Sequence, residues 1–382
     1  MNLLVVSHAC VTPINQMFYA EVERQTGWDV TLVSPSTWET AYGEQTIQRW
    51  PAFDGGLHPV PVWLSGNVPL HLYRTTFFSL LRDVNPDAIY VHHEPYAAAT
   101  GQIYLANRLT ARCPIGFFTW QNIRKTYPPP FGKMQEMVFR ESDFAVSGSE
   151  SARDVLRKKG YAGPAPIIPA AVDPDRFEPV SGEDADERDG ALPAVELPDA
   201  QVVIGFVGRI VQEKGLGTCL EALAHCRDLP WRFVLIGDGA HTDDLRRLAT
   251  RLGIDGRVTF LGYVDHADIP PYLASLDLVV LPSETQPDWK EQFGRIIVEA
   301  LAADTPVLGS DSGEIPRLID RTGGGLIFAE GDARACAQRL RRLVREESLR
   351  NRLAARGRRY VLNTHTHEAL ADRFVETIRA HC

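Results

Sequence analysis

The chain has 382 residues, enough for two domains that each bury a core of their own. Its formal net charge of −9 argues against a general nucleic-acid binder, because neutralising phosphates requires a surplus of Lys and Arg. The six cysteines (Cys10, Cys113, Cys219, Cys226, Cys336, Cys382) are scattered without a C-x-x-C pair and read as reduced thiols of a cytosolic protein.

The chain opens on Met-Asn-Leu-Leu-Val-Val-Ser7, which has no basic n-region and is too short for a signal peptide or a membrane helix. It reads as the first of five strands, at Leu3–Ser7, Val30–Ser34, Ala88–His92, Ile115–Thr119 and Phe144–Ser147. Helical or loop segments alternate with them, which predicts a parallel, doubly wound sheet. The third strand ends on His92-His93-Glu94-Pro95-Tyr96, a polar cluster whose imidazoles titrate near neutrality and could hydrogen-bond a hydroxyl, or simply cap backbone groups. Tyr127-Pro-Pro-Pro-Phe131 reads as a stiff loop.

From Ser181 to Asp199 the composition turns acidic and nearly loses its apolar residues, the mark of a linker or surface loop. A second strand series follows at Val202–Val207, Arg232–Ile236, Val258–Leu261, Leu278–Leu281 and Pro306–Gly309. Its first strand runs through Gly208 into Arg209-Ile-Val-Gln-Glu-Lys214-Gly215 and then a helical pattern. Two cations in a Gly-flanked strand-to-helix loop suit a diphosphate, the Arg as a planar fork and the Lys as a point charge. Farther on, Glu291-Gln-Phe-Gly-Arg-Ile-Ile-Val-Glu299 sets two carboxylates eight residues apart. Phe293, Ile296, Ile297, Ala300 and Leu301 have the spacing of a helix with one buried face. Glu291 then precedes the helix, Glu299 lies nearly two turns inside it, and the N-terminus between them can receive an anion. The Arg-rich stretch from Arg334 to Arg359 could touch anionic lipid, or be the solvated face of ordinary helices.

Gly208-Arg209 through Lys214-Gly215, the turn Gly237-Asp238-Gly239 and Glu291-x7-Glu299 resemble glycosyltransferase family 4. The resemblance spans nearly the whole chain and is strongest from Gln201 to Phe328. It implies a GT-B fold, two Rossmann-like domains facing across a cleft: an acceptor domain at 1–180, the acidic linker at 181–200, a nucleotide-sugar domain at 201–360, and a last segment, 361–382, whose helix at Ala369–Ile378 returns to the first domain. It implies a retaining transferase that moves a hexose-type sugar from a UDP or GDP donor to a carbohydrate or lipid-linked acceptor, with no metal and no other cofactor. The expected setting is cytoplasmic, with weak peripheral membrane contact as one reading of the basic stretch.

Carried over residue by residue, Arg209 and Lys214 hold the leaving diphosphate, Glu291 binds sugar hydroxyls and Glu299 binds the ribose. Gly208, Gly237, Asp238, Gly262, Val264, Phe293 and Gly294 complete the donor site. Two departures stand out. The loop after the first strand lacks the family's Gly-Gly pair, so side chains of Asn15 or Gln16 are expected to do part of that work. The family's His after Ile115–Thr119 is replaced by Trp120-Gln121-Asn122, leaving His92, His93 and Glu94 with Gln121 and Asn122 as the acceptor-side set and His93 as a catalytic candidate. A non-catalytic nucleotide-sugar-binding protein and a nucleotide-sugar 2-epimerase of the same architecture are the rival readings.

Overall fold

The computed structural model describes residues 1–40, 43–178 and 202–381. The acidic segment expected at 181–200 lies outside them. The chain forms two compact units: Met1–Ala171 together with His367–Cys382, and Val172–Thr366.

The first unit is built on six parallel strands: β1 (Asn2–Val6), β2 (Asp29–Pro35), β3 (Gly56–Val60), β4 (Ala88–Val91), β5 (Ile115–Thr119) and β6 (Phe144–Ser147). Their order is β6-β5-β4-β1-β2-β3. Leu3, Leu4, Val5 and Val6 are buried on both faces, as a central parallel strand covered by helices requires. The edge strand β3 was not legible in the sequence: its five residues, GLHPV, are mostly exposed and include Pro59, which only an edge tolerates. Two short antiparallel pairs, Thr37–Thr40 with Gly43–Thr46 and Val62–Trp63 with Leu72–Tyr73, follow β2 and β3.

The last helix, His367–Arg379, belongs to this unit although the chain reaches it last. Its amphipathic spacing puts Leu370, Phe374 and Ile378 at zero exposure in a core shared with Tyr19, Tyr90 and Phe144.

The second unit repeats the topology. Its strands are β7 (Val202–Val207), β8 (Trp231–Ile236), β9 (Val258–Gly262), β10 (Leu278–Leu281), β11 (Val307–Ser310) and β12 (Gly325–Phe328). All pairs are parallel, in the order β9-β8-β7-β10-β11-β12. In each unit the strand order reverses beside the first strand, where open α/β sheets bind ligands at strand C-termini. The arginines of 334–359 largely bond within the unit. Arg341 forks onto Asp228 at 2.7 Å through both nitrogens, Arg350 donates to the carbonyls of Leu343 and Val344, and Arg339 donates to that of Ile327. Among the described residues no helix is long and apolar enough to cross a membrane.

Candidate active site

In the second unit the loops after β7, β8 and β9 meet backbone to backbone. Gly208 (φ +145°), Gly237 (φ +135°) and Gly262 (φ +83°) all take the left-handed side of conformational space. A Cβ on Gly237 would lie 2.0 Å from the Gly208 carbonyl oxygen, and the Gly237 N–H donates to the Gly262 carbonyl at 2.7 Å. Arg209 stands exposed directly after this junction, and Val264 is half-buried after β9. Asp238 is occupied locally: its Oδ1 accepts from the Gly239 N–H at 2.7 Å and from Thr242 Oγ1 at 3.0 Å, which holds the turn into the next helix.

Lys214 closes a short 3-10 turn, Gln212–Lys214. Its Nζ lies 2.6 Å from Glu291 Oε2, an oxygen that also accepts from Ser283 Oγ at 2.9 Å. Trp289 covers the ammonium, with Nζ 5.1 Å from its ring centroid. The tertiary fold thus brings together Lys214 and Glu291, 77 positions apart, and adds Ser283 and Trp289. The loop Ser312-Gly313-Glu314 backs the pair, because Glu314 N–H donates to the Glu291 carbonyl at 3.1 Å.

The helix Arg295–Ala302 starts after Gly294 (φ +78°), later than the apolar pattern suggests, so Glu299 sits in its second turn. Phe293 is buried just ahead of it and stacks on His365 at 6.2 Å. Glu299 is 5% exposed, and its Oε1 accepts from His266 Nε2 at 2.8 Å and contacts Arg295 Nε at 3.2 Å. Burial alone would raise its pKa; the His266 hydrogen bond and the charges of Arg295, His266 and Arg176 outweigh that and hold it below the ordinary value. Arg176 in turn donates to the carbonyls of His266 and Ala267 at 3.1 and 3.2 Å. His266 and Arg176 escaped the sequence reading because neither lies in a recognisable motif, whereas Arg295, four residues before Glu299, was open to an i,i+4 reading.

In the first unit the expected acceptor-side residues separate into two groups. Gln16 is fully buried and spent inside its loop: its amide donates to the carbonyls of Cys10 and Gln48, and its oxygen accepts from the Trp50 N–H. Both polar atoms of the Gln16 side chain are thus engaged within the first unit. Asn15 likewise donates to the Ala9 carbonyl at 2.7 Å. His92 Nδ1 pairs with Tyr19 Oη at 3.0 Å and its ring packs edge-on against Phe118. His93, 1% exposed, has Nδ1 2.8 Å from His8 Nδ1 and Nε2 3.2 Å from Tyr73 Oη. Burial, reinforced by His8, His71 and His92, holds His93 well below the usual imidazole value, and burial with His71 and His92 takes His8 to about 3.

Glu94, Gln121 and Lys159 form the second group. Glu94 accepts from Thr119 Oγ1 at 2.7 Å and from the Trp120 N–H at 2.8 Å. Burial pushes its carboxyl up to about 7 against those bonds and the charge of Lys159. Gln121 bridges Lys159 Nζ and Tyr127 Oη, Tyr127 stacks on Tyr96 at 4.2 Å, and Asn122 is buried beside them in sequence. Desolvation brings Lys159 down to about 8.

Two family models match the chain: "Glycosyltransferase Family 4" over residues 20–176 and "Glycosyl transferases group 1" over 189–360. The chain belongs to the glycosyltransferases of family 4, with the GT-B fold. A lipopolysaccharide core biosynthesis glycosyltransferase, LpsE, of Rhizobium meliloti is 38% identical over 182 residues, 47% of this chain and 50% of that protein. A 2-deoxystreptamine glucosyltransferase of Streptomyces kanamyceticus is 32% identical over 182 residues, 47% of this chain and 44% of its own. The chain thus spans about half the length of these curated relatives. Among solved structures, a glycosyltransferase from Rickettsia africae superposes with a TM-score of 0.78 at 17% identity, covering 99% of this chain and 97% of its own. Anabaena HepE in complex with UDP gives 0.73 at 18% identity with full coverage of both chains. At such identities the likeness concerns the fold.

Proposed function

We propose that the chain is a retaining glycosyltransferase that moves a hexose-type sugar from a nucleoside-diphosphate sugar to an acceptor hydroxyl. The observation that carries this reading is the Lys214–Glu291 pair at 2.6 Å, with Ser283 beneath it and Trp289 above. It sets a cation for the leaving diphosphate next to a carboxylate for sugar hydroxyls. Arg209 adds a second cation from the same loop, and Glu299, held ionised by His266 and Arg295, receives the ribose diol. HepE, whose structures contain UDP and UDP-glucose, supports a uridine donor, and LpsE supports an acceptor in surface polysaccharide.

In this mechanism the acceptor hydroxyl attacks on the face from which the diphosphate departs, and the leaving phosphate takes its proton. Lys214 and Arg209 stabilise the charge that develops on the diphosphate, a preorganised contribution worth about 3–4 kcal/mol per donor group. These side chains supply the neutralisation that a divalent ion provides elsewhere, so transfer proceeds without a metal at the diphosphate.

The test is a thermal-shift and calorimetric panel of UDP, GDP, ADP and their common sugars, followed by donor turnover. One diphosphate should stabilise the protein, and Glu299→Ala and Lys214→Ala should each abolish that shift. Silence across the whole panel overturns the reading. Binding without release of diphosphate from any donor, even with a lysate as acceptor, selects the non-catalytic alternative. A new nucleotide sugar formed without acceptor selects the epimerase.

A further inference from the structure

Three histidines of the first unit converge from distant parts of the chain. His8 follows β1, His71 precedes the short strand Leu72–Tyr73, and His93 follows β4. One ring nitrogen of each lies within 4.8 Å of the others, with His71 and His93 buried and His8 half-buried. Their ring centroids are 4.8 Å (His8–His93), 5.0 Å (His71–His93) and 5.6 Å (His8–His71) apart. Three imidazoles radiating from a tetrahedral ion at ~2.0–2.1 Å place their centroids about 5 Å apart.

Hydrogen bonds on the outer side orient two of the rings. His71 Nδ1 lies 3.0 Å from the Val68 carbonyl and 3.2 Å from that of Asn67, so the proton sits on Nδ1 and the lone pair on Nε2. That Nε2 is buried and has no hydrogen-bond partner among the described residues. His93 Nε2 reaches Tyr73 Oη at 3.2 Å, which leaves Nδ1 turned toward His8. An outer hydrogen bond that fixes tautomer and ring direction is the arrangement metal-ligating histidines use. Trp38 walls the group, its ring centroid 4.9 Å from His8 and 5.0 Å from His71.

We propose that His8, His71 and His93 form a binding site for one divalent ion of the zinc type, ligated through His71 Nε2, His93 Nδ1 and a nitrogen of His8. Neutral imidazoles suit such an ion, and three of them leave one coordination position for water or a ligand hydroxyl. Binding replaces the 2.8 Å His8–His93 hydrogen bond, the bridging proton moving to the outer nitrogen of its own ring, and opens that nitrogen pair to about 3.3 Å, the edge of a tetrahedron with such bonds. The site lies at the C-terminal ends of β1 and β4 in the first unit, and the inference does not depend on the donor assignment in the second.

The experiment titrates chelator-treated full-length protein with Zn²⁺ against a competing indicator dye, and with Co²⁺ for its visible spectrum. One equivalent should bind, with a Co²⁺ spectrum of tetrahedral nitrogen ligation. His71→Gln should weaken binding by at least about tenfold. His8→Gln, at the half-buried ring, tests the same point should His71→Gln fail to fold. No stoichiometric binding, undiminished binding in either folded variant, or thiolate-to-cobalt charge-transfer bands would each overturn the site.

Discussion

At residue scale the second unit sets two carboxylates among different partners. Glu291 meets a lysine ammonium and a serine hydroxyl at one oxygen, and Glu299 meets an imidazole and a guanidinium. Lys214→Ala removes the cation from beneath Trp289 and is expected to lower turnover by about a hundredfold. Near-normal turnover of the purified variant would take Lys214 out of the diphosphate clamp. Glu299 also has a consequence for stability. Its folded pKa is depressed, so its contribution is fully present above the unfolded value of 4.5 and is lost as pH falls through the lower folded value. Urea titrations of wild type and Glu299→Gln should therefore show a stability gap that is widest above pH 4.5 and closes as the solution is acidified further. A gap that widens on acidification would contradict the charge network.

Elements position these residues through close backbone approaches. Gly313 (φ +57°) lies so near the segment before the helix Arg295–Ala302 that a Cβ would stand 2.0 Å from the Glu291 carbonyl oxygen. Gly313→Ala should shift Glu291, lower turnover at least about tenfold and cost about 1–3 kcal/mol in denaturant unfolding. Gly253→Ala is the control: its φ is +64° but a Cβ there has nothing within 4 Å, so turnover should hold while stability falls by about 1 kcal/mol. In the first unit the helix His367–Arg379 anchors itself through Phe374, fully buried and edge-on to Tyr90 at 4.9 Å and to Phe18 at 5.5 Å. Phe374→Ala should cost about 3–5 kcal/mol, read from the first unit's unfolding transition.

For the molecule as a whole, the same doubly wound sheet occurs twice with different residues at its strand ends. The first unit carries histidines and amides there; the second carries glycine turns, cations and the two carboxylates. Donor should therefore bind the second unit. A nucleoside diphosphate at a hundred times its Kd should stabilise the protein by about 2.7 kcal/mol by mass action. Hydrogen exchange should slow at 208–216 and 291–302. Protection confined to the first unit would place the nucleotide elsewhere and reverse the assignment.

Local pattern was enough for five of the six strands of each sheet, for the helix after Glu291 and for singling out the Lys214 loop and Glu291-x7-Glu299; the short last strand of the second sheet, β12, escaped it as β3 did. Buried parallel strands leave continuous apolar runs, so they are written in short stretches of chain. The sequence by itself thereby determined two Rossmann-like sheets and family 4 membership. It could not reveal the exposed edge strand β3, whose alternation is erased by solvent on most positions, or that Gln16 is consumed by its own loop. Nor could it show that His266 and Arg176 support Glu299, or that His8 and His71 meet His93. Those contacts join residues tens of positions apart, and only the packing of whole elements sets their distances; the tertiary structure decided them.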